Sequence, residues 1–304
     1  MTPQVSRFLR PDVLAGITGL ELRARLVVEG FLSGQHRSPY RGYSVEFAEH
    51  REYVPGDDIR HIDWRVFGRA DRFYIKQYEE ETNLRTHLIV DCSASMRYPT
   101  HENARRMTKF EYAATLAASL AYLLIHQQDA VGLTLFDDRV RTHVPPAGNM
   151  AHLKQLTASL EAARVEHPTR VGAVFTDLAG RLRRRSLVVV ISDLLADPDE
   201  VLLSLEQMRF SGHDVIVMHV LDEDERRFPF DENLLFEGLE APTSHVLCDP
   251  RSLRTSYLSA LERFIQRIRS ACRNHRIDFV DVSTSDGLDR VLRRYLTARA
   301  AVRL

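Results

Sequence analysis

Several features that mark common protein classes are scarce or missing in this sequence. Its three cysteines, Cys92, Cys248 and Cys272, have spacings that fit neither a metal cluster nor an even disulfide framework. Such sparse cysteine is typical of proteins in a reducing compartment. The first residues, Met1 to Pro11, lack the apolar core of a signal peptide. We therefore expect a cytoplasmic protein.

Long apolar runs and an excess of one charge are missing as well. No stretch is long and apolar enough to span a bilayer, so we expect no membrane span. The 41 basic and 42 acidic residues give a formal net charge of −1, which indicates no bulk attraction to nucleic acid or to a membrane surface. A basic cluster, Arg181 with Arg183, Arg184 and Arg185, is better interpreted as favourable charge at a helix C-terminus than as a nucleic-acid site.

The common signatures of hydrolases and nucleotide-binding enzymes do not occur. The sequence has no Gly-x-Ser-x-Gly elbow, no His-Glu-x-x-His and no phosphate-binding loop. Its 13 histidines are numerous, yet none lies in a catalytic pattern with a partner. We therefore expect a protein that is not an enzyme.

From residue 83 onward, short apolar strands alternate with helices. Beyond an apolar run that ends at residue 91, the periodicity predicts strands at 130–136, 140–144, 187–191, 214–221, 246–248 and 277–282, and helices at 110–127, 150–163, 171–182, 198–210, 252–275 and 287–299. The helix at 110–127 is apolar nearly all round and should be buried at the centre. The alternation predicts an α/β fold with a doubly wound, mostly parallel sheet and an antiparallel edge hairpin at 130–144.

The first part of the chain has a different character. Residues 11–33 have apolar side chains at helical spacing, and residues 72–78 alternate as a strand does. Between them lie polar loops rich in turn residues. We expect an N-terminal helix with a β/loop extension over residues 1–82 and an α/β domain over residues 83–304.

The stretch that points to function is the strand Leu88–Val90 and its polar tip. Asp91, Ser93 and Ser95 follow the apolar run at alternate positions. Ligands of open α/β sheets lie beyond the carboxyl ends of the strands. One carboxylate and two hydroxyls are hard oxygen ligands, which suit Mg²⁺ or Mn²⁺ better than Zn²⁺. The alternative is that these side chains only cap the following helix.

Asp-x-Ser-x-Ser after an apolar strand resembles the metal-ion-dependent adhesion site of von Willebrand factor type A domains. The resemblance implies a threonine from a second loop and an aspartate from a third, and Thr169 and Asp193 stand in those places. Pro168 and Arg170 replace a glycine and an aspartate that related proteins often carry. Thr176 is a rival to Thr169, although helical periodicity places it inside a helix.

A second resemblance covers residues 34–96. Tyr-x-Pro-Gly-Asp-Asp-x-Arg-x-Ile-Asp-Trp, at 53–64, is followed by Glu79-Glu80-Glu81 and then by the Asp-x-Ser-x-Ser strand. This order is similar to that in bacterial proteins of unknown function that are typically encoded beside MoxR-type AAA+ ATPases. The segment at 46–65 is either a salt-bridged structural clip or a docking surface.

Two functions from different classes follow from these resemblances. The first is a binding adaptor that works with a MoxR-type AAA+ ATPase in protein remodelling or complex maturation, in which an acidic side chain of a client protein completes the shell of the bound cation. The second is a Mg²⁺-dependent hydrolase of the phosphatase type. Such phosphatases need a second acid two positions after the first. Ser93 occupies that position, and no downstream lysine stands out as a phosphate partner.

Overall fold

The computed structural model of the protein describes residues 11–14, 19–35, 50–52, 74–76, 85–99, 106–182, 185–241 and 243–302. The chain divides into two compact units: Met1–Gly34 with Leu84–Leu304, and Gln35–Asn83. In the smaller unit, strands β1 (His50–Glu52) and β2 (Tyr74–Lys76) pair antiparallel. The motif at 53–64 and the acidic run at 79–81 lie outside the described residues. The domain boundary at residue 82 stays a prediction.

The larger unit is built on a six-stranded sheet, accompanied by a separate two-stranded hairpin. Its strands are, in chain order, β3 (Arg85–Asp91), β4 (Ala130–Phe136), β5 (Val140–Ala147), β6 (Leu187–Ser192), β7 (Asp214–Leu221), the hairpin strands β8 (Leu234–Glu237) and β9 (His245–Cys248), and β10 (Asp278–Ser283). The sheet order is β5-β4-β3-β6-β7-β10, and every pair is parallel except β4 with β5. This is the doubly wound order, so the predicted fold class and its antiparallel edge are confirmed.

Helices cover both faces of this sheet. They are α1 (Pro11–Leu14), α2 (Leu20–Gln35), α3 (Lys109–His126), α4 (Met150–Glu161), α5 (Val171–Arg181), α6 (Pro198–Phe210), α7 (Glu223–Arg227), α8 (Pro250–Asn274) and α9 (Leu288–Val302). One apolar layer contains residues of α2, α3, α4 and α9, and the other contains residues of α5, α6 and α8. Within the described ranges, no helix has the length and apolar character needed to cross a membrane.

Helix α3 lies at the centre of the first layer, as its apolar sequence predicted. Leu116 and Leu120 are fully buried in this layer. Thr108 caps the helix in a capping box with Glu111, because its hydroxyl accepts the backbone N–H of Glu111 and the Glu111 carboxylate accepts the N–H of Thr108. This cap places Lys109 in the first turn, where its ammonium contacts Asp193, the residue that follows strand β6.

The structure corrects the prediction of one helix over residues 11–33. Helix α1 ends at Leu14 and helix α2 begins at Leu20, with Gly19 between them at a φ of +90°. Glycine adopts this left-handed conformation without the steric cost that a Cβ brings, so it allows the chain to turn before α2. Strand β8 and helix α7 were not predicted, because both are too short for a clear periodicity.

The burial of His87, on strand β3, can be tested through the pH dependence of the protein's stability. Its side chain is 7% exposed, and burial lowers its pKa from 6.5 to about 4. The unfolded chain therefore binds a proton between pH 6.5 and pH 4 that the folded protein does not bind, so stability should fall as the pH falls through this range and level off below it. The shift corresponds to about 3 kcal/mol in the free energy of unfolding. Urea unfolding at several pH values should show this slope reduced in His87→Leu and unchanged for the exposed His245→Leu.

Candidate functional site

The predicted site residues come together at the point where the strand order of the sheet reverses. Strands β3 and β6 are parallel neighbours, with Val90 opposite Ile191. Asp91 is the last residue of β3, and Asp193 directly follows β6. Crevices at such reversal points are the usual ligand sites of doubly wound sheets. Asp91 and Asp193 are therefore neighbours at the carboxyl edge of the sheet, and both are buried.

Asp91 is held in place by its own loop and by the neighbouring strand. Its carboxylate accepts the backbone N–H of Ser93 at 2.8 Å and the hydroxyl of Ser192 at 2.5 Å. The hydroxyls of Ser93 and Ser95 lie 3.1 Å apart, and all of these side chains are buried. Burial, and then the charge of Asp193, raise the pKa of Asp91 to about 7. A nearby positive charge would offset this cost of burying the carboxylate.

Asp193 faces a buried lysine that the sequence analysis did not identify. The Lys109 ammonium donates to Asp193 at 2.8 Å and to Glu225, in helix α7, at 2.6 Å. Burial opposes the charged form of Lys109, but the charges of Asp193 and Glu225 raise its pKa overall. Burial alone would raise the pKa of Asp193. The charge of Lys109 outweighs this effect, so the pKa of Asp193 is lowered. The site thus contains one ammonium shared by two carboxylates.

Thr169 reaches the same place from the loop before helix α5. The carbonyl of His167 accepts the N–H of Ala94 at 2.7 Å, which ties this loop to the loop of Ser93 and Ser95. The backbone N–H of Thr169 donates to a carboxylate oxygen of Glu240 at 3.1 Å. The Arg170 side chain is exposed.

Thr176, the rival to Thr169, and Cys92, which lies between Asp91 and Ser93, have ordinary structural partners. The Thr176 hydroxyl, within α5, donates to the side-chain oxygen of Gln207 at 3.0 Å. The Cys92 thiol contacts the carbonyl of Phe136 at 3.1 Å, and burial raises its pKa to about 12. Cys92 is therefore a packing residue, because a reactive cysteine needs an accessible thiolate.

The donor set fits a hard cation, and two unpaired atoms support this. In the part of the chain that the structure describes, the Thr169 hydroxyl and one carboxylate oxygen of Glu240 are buried without a hydrogen-bond partner. Proteins rarely leave buried polar atoms unpaired, and a bound ion can supply the contact that such atoms lack. The described residues contain no group of three or more His, Cys, Asp or Glu side chains arranged to hold a metal. A cation here would therefore depend on the hydroxyl ligands as well.

Sequence comparison identifies the family. A profile described as "Protein of unknown function DUF58" matches residues 49–265. The chain belongs to the DUF58 family. A relative from Mycobacterium tuberculosis (strain ATCC 25618 / H37Rv), the "Uncharacterized protein Rv1480", is 28% identical over 254 residues, which is 82% of this chain and 78% of the relative. A protein of Mycobacterium bovis (strain ATCC BAA-935 / AF2122/97), "Uncharacterized protein Mb1516", matches to the same extent.

Two solved structures with a similar fold are a bacterial BatB protein and a VWA domain. One is the "conserved hypothetical protein BatB from Bacteroides thetaiotaomicron", with a TM-score of 0.47, 14% identity, and coverage of 71% of this chain and 99% of that chain. The other is the "SpRpn10 VWA domain", with a TM-score of 0.41, 14% identity, and coverage of 69% of this DUF58 chain and 93% of that one. The family assignment and the strand order together confirm a type A-like domain in a DUF58 protein.

Proposed function

We propose that this DUF58 protein is a binding adaptor that recognises a partner through a divalent cation, Mg²⁺ or Mn²⁺, held at the carboxyl edge of its sheet. The residues that would hold the ion are Asp91, Ser93, Ser95, Thr169 and Asp193. A bound cation would supply a positive centre for a carboxylate oxygen of the partner. The observation that carries the proposal is the convergence of these oxygens from three separate loops, with the Thr169 hydroxyl buried and unpaired in the described structure.

The surroundings of the site support recognition of another protein. A cavity of about 230 Å³ opens beside Asp193, between the sheet edge and helix α8. Its lining is mostly apolar, with Leu195, Leu221, Tyr257, Leu261 and Phe264 among its residues. Leu195, two positions after Asp193, is 58% exposed. A partner that presents an acidic side chain next to an apolar one would match both features.

The partner we propose is a MoxR-type AAA+ ATPase together with its client, in protein remodelling or complex maturation, and this follows the gene neighbourhood typical of similar proteins. A cytoplasmic location agrees with this partner and belongs to the same proposal.

An ATPase that binds through the site should bind on the order of tenfold more weakly in EDTA than in Mg²⁺, because the contact between its acidic side chain and the cation would be lost. The measurement is a titration of the purified ATPase with and without EDTA, followed by addition of excess Mg²⁺. An affinity that EDTA leaves unchanged, or cells expressing both proteins from which the ATPase is never co-purified, would count against the partner.

A Mg²⁺-dependent hydrolase remains the second candidate, because Lys109 supplies the lysine that the sequence analysis did not find. Its ammonium is engaged by Asp193 and Glu225, however, and Ser93 still stands where a phosphatase of this type carries its second acid. Turnover of p-nitrophenyl phosphate that requires Mg²⁺ and disappears in Asp91→Ala would favour the hydrolase over the adaptor.

A further inference from the structure

Glu240 lies in the loop between strands β8 and β9. It is 71 residues from Thr169 in the sequence, but a hydrogen bond joins the two residues at the candidate site. One of its carboxylate oxygens accepts the Thr169 N–H. Burial raises the pKa of Glu240, the Thr169 hydrogen bond opposes this shift, and the charge of Asp193 adds to it. The carboxylate of Glu240 is therefore in direct contact with Thr169, one of the five candidate cation ligands.

The second carboxylate oxygen of Glu240 is in an unfavourable environment. It is buried, and across the described ranges no donor reaches it, just as no partner reaches the Thr169 hydroxyl beside it. A buried carboxylate oxygen without a hydrogen-bond donor lowers the stability of the folded state, because it has lost its water contacts and gained no donor in exchange. Lys109 does not resolve the problem, since its ammonium contacts Asp193 and Glu225. A cation between the unpaired oxygens would satisfy both.

The hairpin holds this loop in place through its base. Phe228 packs on Phe236 of β8 with ring centroids 5.7 Å apart and on Tyr257 of α8 at 4.6 Å. The loop closes tightly, because Gly238 and Ser244 are joined by a 2.9 Å backbone hydrogen bond and a Cβ at Gly238 would lie 2.8 Å from the carbonyl of Ala241. The aromatic base is fixed to α8, and the loop with Glu240 projects from it to the site.

We propose that Glu240 is a ligand of the cation supplied by this chain itself, in the position that a partner's acidic side chain would take. The inference rests on the proposed function, since it requires a cation at the site. It means that a cation bound here would be capped by the chain itself, and that a partner's carboxylate must displace Glu240. The hairpin that carries Glu240 is then the regulatory element of the site, and a partner that moves the loop frees one coordination position.

The test is Mn²⁺ binding to the full chain, measured by electron paramagnetic resonance, together with the number of waters on the ion from water proton relaxation. Glu240→Ala should weaken Mn²⁺ binding by at least about tenfold, the scale on which even outer partners of a metal matter. It should also add one water to the bound ion. Glu240→Gln keeps the Thr169 hydrogen bond and should give a smaller loss. Glu237→Ala, at an exposed acid of the same hairpin, should behave as the wild type.

The outcomes separate this inference from the proposed function. If the wild type binds Mn²⁺ and Asp91→Asn does not, while both Glu240 variants keep the wild-type affinity and water count, the cation site stands and the role of Glu240 is overturned. If the wild type shows no saturable Mn²⁺ binding, the proposed function itself is overturned. Thermal unfolding in EDTA checks that each variant is folded.

Discussion

Asp91→Asn is expected to reduce the affinity of the protein for Mn²⁺ or Mg²⁺ by at least about a hundredfold, because it removes one full charge next to the ion in a site without exposed side chains. Asp91 is fully buried, and its neighbours Ser93, Ser95 and Asp193 are buried as well. Each oxygen of such a set matters more than it would at the surface, since water does not replace the lost ligand at low cost.

The substitution should leave the fold intact. Asparagine has nearly the same shape, and its side-chain oxygen can accept the Ser93 N–H that Asp91 now accepts. It also removes the Asp91 carboxylate, whose charged form is disfavoured by burial and by the charge of the neighbouring Asp193. Loss of metal binding in this variant would therefore report on the ion and not on unfolding.

Isothermal titration with Mg²⁺ and Mn²⁺ is the measurement, with Asp177→Asn as the control. Asp177 is an exposed acid of helix α5 that pairs with Arg181 across one helical turn, and such pairs contribute little. Titration curves for Asp91→Asn that coincide with those of the wild type would contradict a cation at this edge of the sheet.

Much of the site could be predicted from the sequence because strand ends are predictable. Asp91 directly follows one apolar run, and Asp193 follows another with Ser192 between them. The α/β alternation makes both runs parallel strands. Parallel strands end at the same edge of the sheet, so two acids far apart in the chain had to approach each other once β3 and β6 became neighbours. Ser93 and Ser95 directly follow β3, so they lie at the same edge of the sheet. Their role as metal ligands stays a prediction.

Lys109 and Glu240 could not be found in the same way. Lys109 lies at the start of an apolar helix, where a lysine is ordinarily exposed, and only the tertiary structure shows its ammonium between Asp193 and Glu225. Glu240 lies in a loop after a four-residue strand, and such a strand has too few residues for a periodic signal. The signal available for Lys109 was a lysine at the start of a helix whose following turns are mostly apolar, and none was available for Glu240.

The break at Gly19 shows a related limit. Apolar spacing continues across residues 11–33, so the pattern alone favours one helix. Gly19 at a φ of +90° separates α1 from α2, and the apolar residues on both sides still pack in the same layer of the core. Periodicity reports which side chains are buried, and the path of the backbone between them depends on contacts that periodicity does not contain.

Lys109→Met is expected to lower the free energy of unfolding in EDTA by about 3–5 kcal/mol, the usual cost of breaking a buried ion pair from one side. The Lys109 side chain is 1% exposed, and Asp193 is 2% exposed. Methionine fills a similar volume, so the loss comes from charge. The carboxylates of Asp193 and Glu225 then remain buried without the ammonium that neutralises them.

A matched control and a rescue separate this effect from packing. Lys154 is exposed on helix α4, and Lys154→Met should change the stability by less than about 0.5 kcal/mol. Adding Glu225→Gln to Lys109→Met removes one of the two unpaired acids and should recover part of the loss, which a double-mutant cycle in urea unfolding would measure. A Lys109→Met variant as stable as the wild type would show that these carboxylates do not depend on the ammonium.

The same variant links stability to the proposed cation. In the described structure the Lys109 ammonium is the positive charge in contact with Asp193, and it competes with any divalent ion for the same carboxylate. Removing it should therefore let Mg²⁺ stabilise Lys109→Met by more than it stabilises the wild type, because binding to the folded state alone raises the free energy of unfolding. An equal Mg²⁺ effect on the thermal unfolding of both proteins would place the ion away from Asp193. A larger effect in the variant would mean that lysine and metal neutralise the same group of acids, so that the domain folds without the ion and binds it at the cost of one ion pair.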